Sequence, residues 1–306
     1  MKQGAMVVVM LALATFVFAQ YQAPATQNQP AAQAGAAQSG AAQQGAAQPA
    51  PPQGKRPPQA KTQPEFDAYK AAVASTNDPA AMEKAADEFA AKYPDSELRT
   101  ILYQMAMRSY QGTNNGDKML AMGRKVLALD PDQTEALLGV AEVLVERTRD
   151  SDLDKDQRWD EASKLAQHAL ETIDNIAVPA GTPQEKVDAY KGFLRSSAYS
   201  ILGTLQFNKE KYSDAESDFR KSIDALPSQP DPVVVLRLAL ALDKQGRYPD
   251  ALKEANRAVE LTQESTTAGS LARKERDRLI QLTGGNSAAP AAKPPAGAQN
   301  QAPPKD

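Results

Sequence analysis

Apolar residues recur three and four positions apart through most of the chain between residues 63 and 284, with polar or proline-bearing joints between the runs. That spacing is one face of a 3.6-residue helix, and nowhere does it give way to the alternation of a strand. Phe66, Tyr69 and Val73 define a first short helix, beginning near Pro64. Asp78 caps a second, with Pro79 at its first position, where a missing N–H costs nothing. Met82, Ala86 and Phe89 form that helix's stripe, and Pro94 closes the pair. Leu98, Leu102, Met105 or Ala106, and Ser109 or Tyr110 mark the next helix behind the caps Asp95 and Ser96. A turn at Gly112–Gly116 leads to a partner carrying Met119, Met122, Val126 and Leu129, which ends at Asp130-Pro131.

The strongly apolar run Leu137, Leu138, Ala141, Val143, Leu144 and Val145 predicts the following helix. A polar interval from Thr148 to Gln157 separates it from Trp159, Ala162, Ala166, Ala169 and Ile173. After a linker at Asn175–Gly181, Thr182, Pro183 and Glu185 have the form of a capping box. From there Val187, Tyr190, Leu194, Ala198, Ile201 and Leu205 make one unbroken stripe. A helix from Pro183 to Phe207 is about 37 Å long at 1.5 Å per residue. Ser270–Leu282 reads as a polar terminal helix covering the last apolar face, stopped by Gly284 and Gly285.

Two neighbouring stretches repeat one pattern. Tyr199, Leu202, Gly203, Phe207, Tyr212, Ala215 and Phe219 in residues 196–229 answer to Val235, Leu238, Ala239, Leu242, Tyr248, Ala251 and Ala255 in residues 232–265, about 36 residues on. Small residues at 203, 239, 215 and 251 mark close helix crossings, and aromatics at 207, 212, 219 and 248 fill the space between. A period of this length signals stacked helical hairpins. The pattern resembles the tetratricopeptide repeat. The resemblance implies an all-α, right-handed solenoid of helical hairpins over residues 63–284, and a scaffold that binds proteins or peptides. It also implies that the inner face of each first helix lines a concave groove: Ser197, Ser200, Thr204, Phe207 and Asn208, then Val233, Leu236, Leu240, Asp243 and Lys244. The carboxylate-clamping members of the family carry basic and amide residues there. This face is Ser, Thr, Val and Leu instead, which speaks against that mode; its apolar part reads equally well as packing against neighbouring helices.

Composition changes the picture at both ends. Lys2, the apolar run Ala5–Phe18, and the small residues Val17 and Ala19 read as a secretory signal over residues 1–19, cut before Gln20. An uncleaved membrane tether is the other reading. Residues 20–62 and 285–306 are Ala/Gln/Pro-rich, without the apolar side chains that offset the ordering cost, and read as a disordered linker and tail. Residues 63–284 hold 29 basic and 37 acidic side chains, a net charge of −8, which argues against nucleic acid as a partner. The small basic cluster Lys55, Arg56 and Lys61 falls in the linker, too slight to anchor to an anionic surface. There is no cysteine, so disulfides and thiolate chemistry are excluded.

Candidate chemistry is sparse. Asp150, Asp152, Asp154, Asp156 and Glu161 stand at positions 1, 3, 5, 7 and 12 of a window with the ligand spacing of a calcium loop. Lys155 replaces the turn glycine there and Gln157 the buried aliphatic, so a solvated loop is the reading preferred. The single histidine, His168, sits on a solvent-facing helix flank and by itself supports neither a hydrolytic triad nor a zinc site. The chain is therefore expected to be a non-enzymatic adaptor, without cofactor, exported to the periplasm or outside the cell. Its stretch Lys92-Tyr93-Pro94-Asp95-Ser96 is similar to repeats of bacterial envelope-assembly proteins. A carrier for exported polypeptides is the alternative, and a carboxylate-based enzyme a more remote one.

Overall fold

The computed structural model describes residues 55–74, 78–179 and 181–284. The segment expected to be a secretory signal, most of the expected linker and the tail lie outside the described residues. Eleven α-helices and no strand are found among the described residues. They are α1 (Gln63–Val73), α2 (Pro79–Lys92), α3 (Leu98–Gly112), α4 (Gly116–Leu129), α5 (Thr134–Arg147), α6 (Lys155–Thr172), α7 (Gln184–Asn208), α8 (Tyr212–Ala225), α9 (Pro232–Lys244), α10 (Tyr248–Glu260) and α11 (Thr267–Thr283). The chain divides into two compact units, and the division falls inside α7, between Leu205 and Gln206.

In the first unit, α1 to α6 pack each on the next, and the apolar stripes read from the sequence form its core. Met82, Ala86, Leu102, Met122 and Val126 are wholly or almost wholly buried. Each of these except the small Ala86 contributes about 1.5–3 kcal/mol by leaving water. The cap of α2 is the one the sequence indicates and that of α1 is one it did not single out, while α3 follows Glu97, with the Ser96 hydroxyl accepting from the Leu98 N–H at 3.1 Å. Thr62 and Glu65 complete a capping box on α1, and the Asp78 carboxylate accepts from the Ala80 N–H at 3.0 Å. α6 starts at Lys155, inside the interval expected to be loop, and its Trp159 is buried. A short 3₁₀ turn, Ile173–Asn175, follows it.

The start of α7 differs from expectation. The Thr182 hydroxyl donates to the Pro179 carbonyl at 2.8 Å, so it closes a loop turn. The helix begins one residue later than expected, at Gln184, with the Pro183 carbonyl accepting from Lys186 and Val187. Its length of 25 residues is the one expected. Leu194, Ala198, Ile201, Leu202 and Leu205 pack with α5 and α6 in one core.

In the second unit, α9 packs against α8, α10 and α11. Ala215, Ala239, Ala251 and Ala255 are fully buried at the crossings, where a larger side chain would hold the helices apart. Phe219 fills the core beside them; Tyr248, expected there too, stands 38% exposed at the head of α10.

One turn recurs in both units. Asn114, Glu210 and Gly246 all have left-handed backbones, with φ of 56°, 59° and 73°. At each, its own N–H bonds back to a carbonyl three residues earlier, and the next N–H reaches one five residues before it. The same closure ends α3, α7 and α9, and α3 and α9 each pair with the helix that follows as a hairpin. Each unit is thus built of tetratricopeptide-like helical hairpins.

Candidate functional site

The face of α9 read from the sequence as a binding surface forms a groove with α11 in the second unit. Leu236 and Leu240 from α9 and Leu271, Lys274, Glu275 and Arg278 from α11 line an open space of about 230 Å³. Leu236 is buried and forms the floor, Leu240 is half-buried, and Leu271 is 50% exposed. On α11 the residues 271, 275, 278 and 282 follow one another at helical spacing, so one flank of that helix faces the groove and continues to the half-exposed Leu282.

Charge is placed at the groove's rim. Asp243 of α9 pairs with Arg278 at 2.5 Å, and Arg278 also holds Glu275 at 2.9 Å. Those two carboxylates, Glu275 first, raise the pKa of the guanidinium further above its ordinary value. Lys274 and Lys244 are exposed, with no ion-pair partner among the described residues. Asp243 therefore serves as a clamp between α9 and α11. The basic character comes from α11, which was expected to be no more than a polar cap. Leu271, Ile280 and Leu282 remain 40–51% exposed on it, so it does not close the apolar surface as a polar cap would. The 271–275–278–282 spacing in the sequence is the signal that marks this second wall.

The remaining residues expected at the concave face fall into two groups. In the first unit, Ser197 is half-buried and donates to the Phe193 carbonyl at 3.0 Å, while Thr204 donates to Ser200 at 2.7 Å. Ser200 itself is buried. These hydroxyls satisfy their own helix. In the second unit, Phe207 packs against the core and stands edge-on to Tyr212 at 5.4 Å, Asn208 is exposed, and Val233 is half-buried in the first turn of α9.

The first unit holds a polar network that the sequence did not single out. Glu135 of α5, 7% exposed, accepts from Arg108 and Gln104 of α3 and from Tyr190 of α7. It ties α3, α5 and α7 together through one carboxylate.

The acidic loop does not assemble a cation cage. Asp152 accepts from the Arg149 N–H, Asp154 from Arg158 at 2.7 Å, and Glu161 from Arg124 at 3.2 Å. Asp150 lies 3.6 Å from Lys155, and Asp156 is already in the first turn of α6. Among the described residues no three potential ligands converge on a metal position. Arginine and lysine, one of them at the place a calcium loop needs glycine, take the carboxylates instead. His168 is half-buried, held between Glu171 at 3.2 Å and Asp132 at 2.9 Å. The bond to Glu171 and the nearby Asp132 raise its pKa, against the opposing pull of burial. Both its ring nitrogens are engaged in this cluster, so it has no free one to act as a base.

The chain is a tetratricopeptide-like helical-repeat protein by its own hairpins. No protein-family model matches the sequence, and no curated protein does. Solved structures similar to it include TTC0263, a thermophilic tetratricopeptide protein of Thermus thermophilus, at 15% identity and a TM-score of 0.43, covering 72% of this chain and 98% of that one. The MamA protein is similar over 61% of this chain and 88% of its own, at 17% identity and a TM-score of 0.39. Acl4, the assembly chaperone of RpL4, aligns over 72% and 96% at 10% identity and a TM-score of 0.40.

Proposed function

We propose that the protein is a non-catalytic interaction scaffold that holds a segment of a partner polypeptide in the groove between α9 and α11. The open apolar surface of Leu240 and Leu271, over the buried Leu236 and beneath the unpaired Lys274, carries this reading. Leucines left half-exposed in a groove gain from being covered, at about 25 cal/mol per Å². The rim lysines select a segment with apolar anchors and a nearby carboxylate. The apolar run Ala5–Phe18 supports export, with the partner in the periplasm or outside the cell.

Site-specific photo-crosslinking in the producing cell tests the groove. A photoreactive residue at 240 or 271 is expected to give one discrete product, which Lys274→Glu reduces at least five-fold. The same residue at Leu153, fully exposed on the acidic loop of the first unit, is expected to give none. A smear of many products at 271 would mark a carrier of unfolded chains. No product at 240 or 271, or equal yield at 153, removes the groove from consideration.

A further inference from the structure

Residues 55–61 are not free linker. From the start of α1 they run in extended form across three successive joints between helices. The Lys61 ammonium donates to the Asp95 carbonyl at 2.7 Å, between α2 and α3. Arg56 grips Glu97 with both terminal nitrogens, at 2.9 and 2.5 Å, and the Gln59 N–H adds a bond to the same carboxylate at 3.2 Å. Lys55 reaches Asp130 at 2.9 Å and Asp132 at 3.1 Å, between α4 and α5, while its N–H donates to the Asn175 carbonyl beyond α6. Six residues at about 3.3 Å each reach about 20 Å, which sets the span of this crossing. Pro57 and Pro58 are half-buried and hold the segment extended beforehand, so little order is lost on seating it.

The charges explain the fit. All of the excess negative charge of residues 63–284 lies before residue 206, where 24 acidic face 16 basic side chains; residues 206–284 carry 13 of each. We propose that the row Glu97, Asp130 and Asp132 is a binding track for extended, lysine- and arginine-bearing proline segments. Residues 55–61 occupy it in cis as an exchangeable latch, and a partner segment of the same chemistry displaces them. Exchange is feasible because the ion pairs are exposed, with Lys55 and Arg56 side chains 47% and 65% accessible, and exposed pairs hold weakly. A short tether supplies its own segment at an effective concentration on the order of millimolar, which a partner of modest affinity can match. The track lies wholly in the first unit and owes nothing to the groove of the second.

The test uses the full chain with residues 55–59 replaced by Gly-Ser-Gly-Ser-Gly, and the synthetic peptide Gln-Gly-Lys-Arg-Pro-Pro-Gln-Ala as probe. Amide resonances around Glu97, Asp130 and Asp132 are expected to shift on titration at low salt. Affinity is expected to be at least ten-fold tighter than for the unaltered chain, whose own latch competes. Glu97→Gln, Asp130→Asn and Asp132→Asn together are expected to abolish binding. On the folded latchless protein, a peptide with Glu-Glu for Lys-Arg is expected to fail as well, an arm that does not depend on the triple variant folding. Absence of binding to the latchless chain overturns the proposal, as does equal affinity for the unaltered one or equal binding of the acidic peptide.

Discussion

Glu210 and Gly246 close the same turn, 36 positions apart, and differ in what that turn costs. A side chain in the left-handed region crowds its own carbonyl by roughly 1–2 kcal/mol, a penalty that glycine escapes. Glu210→Gly is therefore expected to raise stability by about 1 kcal/mol at 25 °C, measured by urea denaturation, offset in part by the extra freedom of glycine in the unfolded chain. His168 makes a second residue-scale expectation. Its pKa is raised in the folded state by Glu171 and Asp132, with burial opposing them. The stabilisation is then full below the unfolded value near 6.5 and is lost as pH rises through the raised folded value. Because the chain has one histidine, thermal melts between pH 6 and 9 isolate it. The melting temperature is expected to fall across that window by the equivalent of less than about 1 kcal/mol, since the pair is exposed, and His168→Gln is expected to flatten the slope.

At the scale of elements, the crossing of α3, α4 and α5 turns on two glycines with opposite tolerance. A methyl group at Gly123 would stand 2.6 Å from the Val140 Cγ2 atom and 3.2 Å from the Met107 sulfur. Valine in a helix has one good rotamer and cannot turn away. At Gly139 the nearest atoms, at 3.0 and 3.4 Å, are the ends of Met119 and Met107, which swing easily. Alanine gains about 1 kcal/mol over glycine in a helix interior. Gly139→Ala is expected to keep most of that gain. Gly123→Ala is expected to lose it and destabilise by about 1–2 kcal/mol through overpacking. Paired denaturation curves of the two variants check the sign. The stripes, breaks and lengths of these helices were legible in the sequence, because a 3.6-residue period survives in any amphipathic helix. Which of two glycines touches a stiff neighbour was not, because it depends on partners 16 to 32 positions away.

For the whole molecule, the all-α class, the hairpin period and the apolar positions were determined by the sequence alone: burial of one helical face leaves a periodic trace whatever the neighbours are. The α9 half of the groove was readable for the same reason, through Leu236 and Leu240. The tertiary structure decided what faces that half. It set the flank of α11 opposite, with Lys274 and Arg278, where the sequence showed only a charged final helix. It also decided the fate of the charges. Four of the five acidic positions at metal spacing became pairs with Arg124, Arg158 and Lys155, the fifth, Asp156, joined the first turn of α6, and the basic cluster of an apparent linker became the latch on Glu97, Asp130 and Asp132. A charge acts through space on whatever the fold brings within a few ångströms. Its spacing along the chain says little about that, whereas an apolar stripe carries its address in its own period.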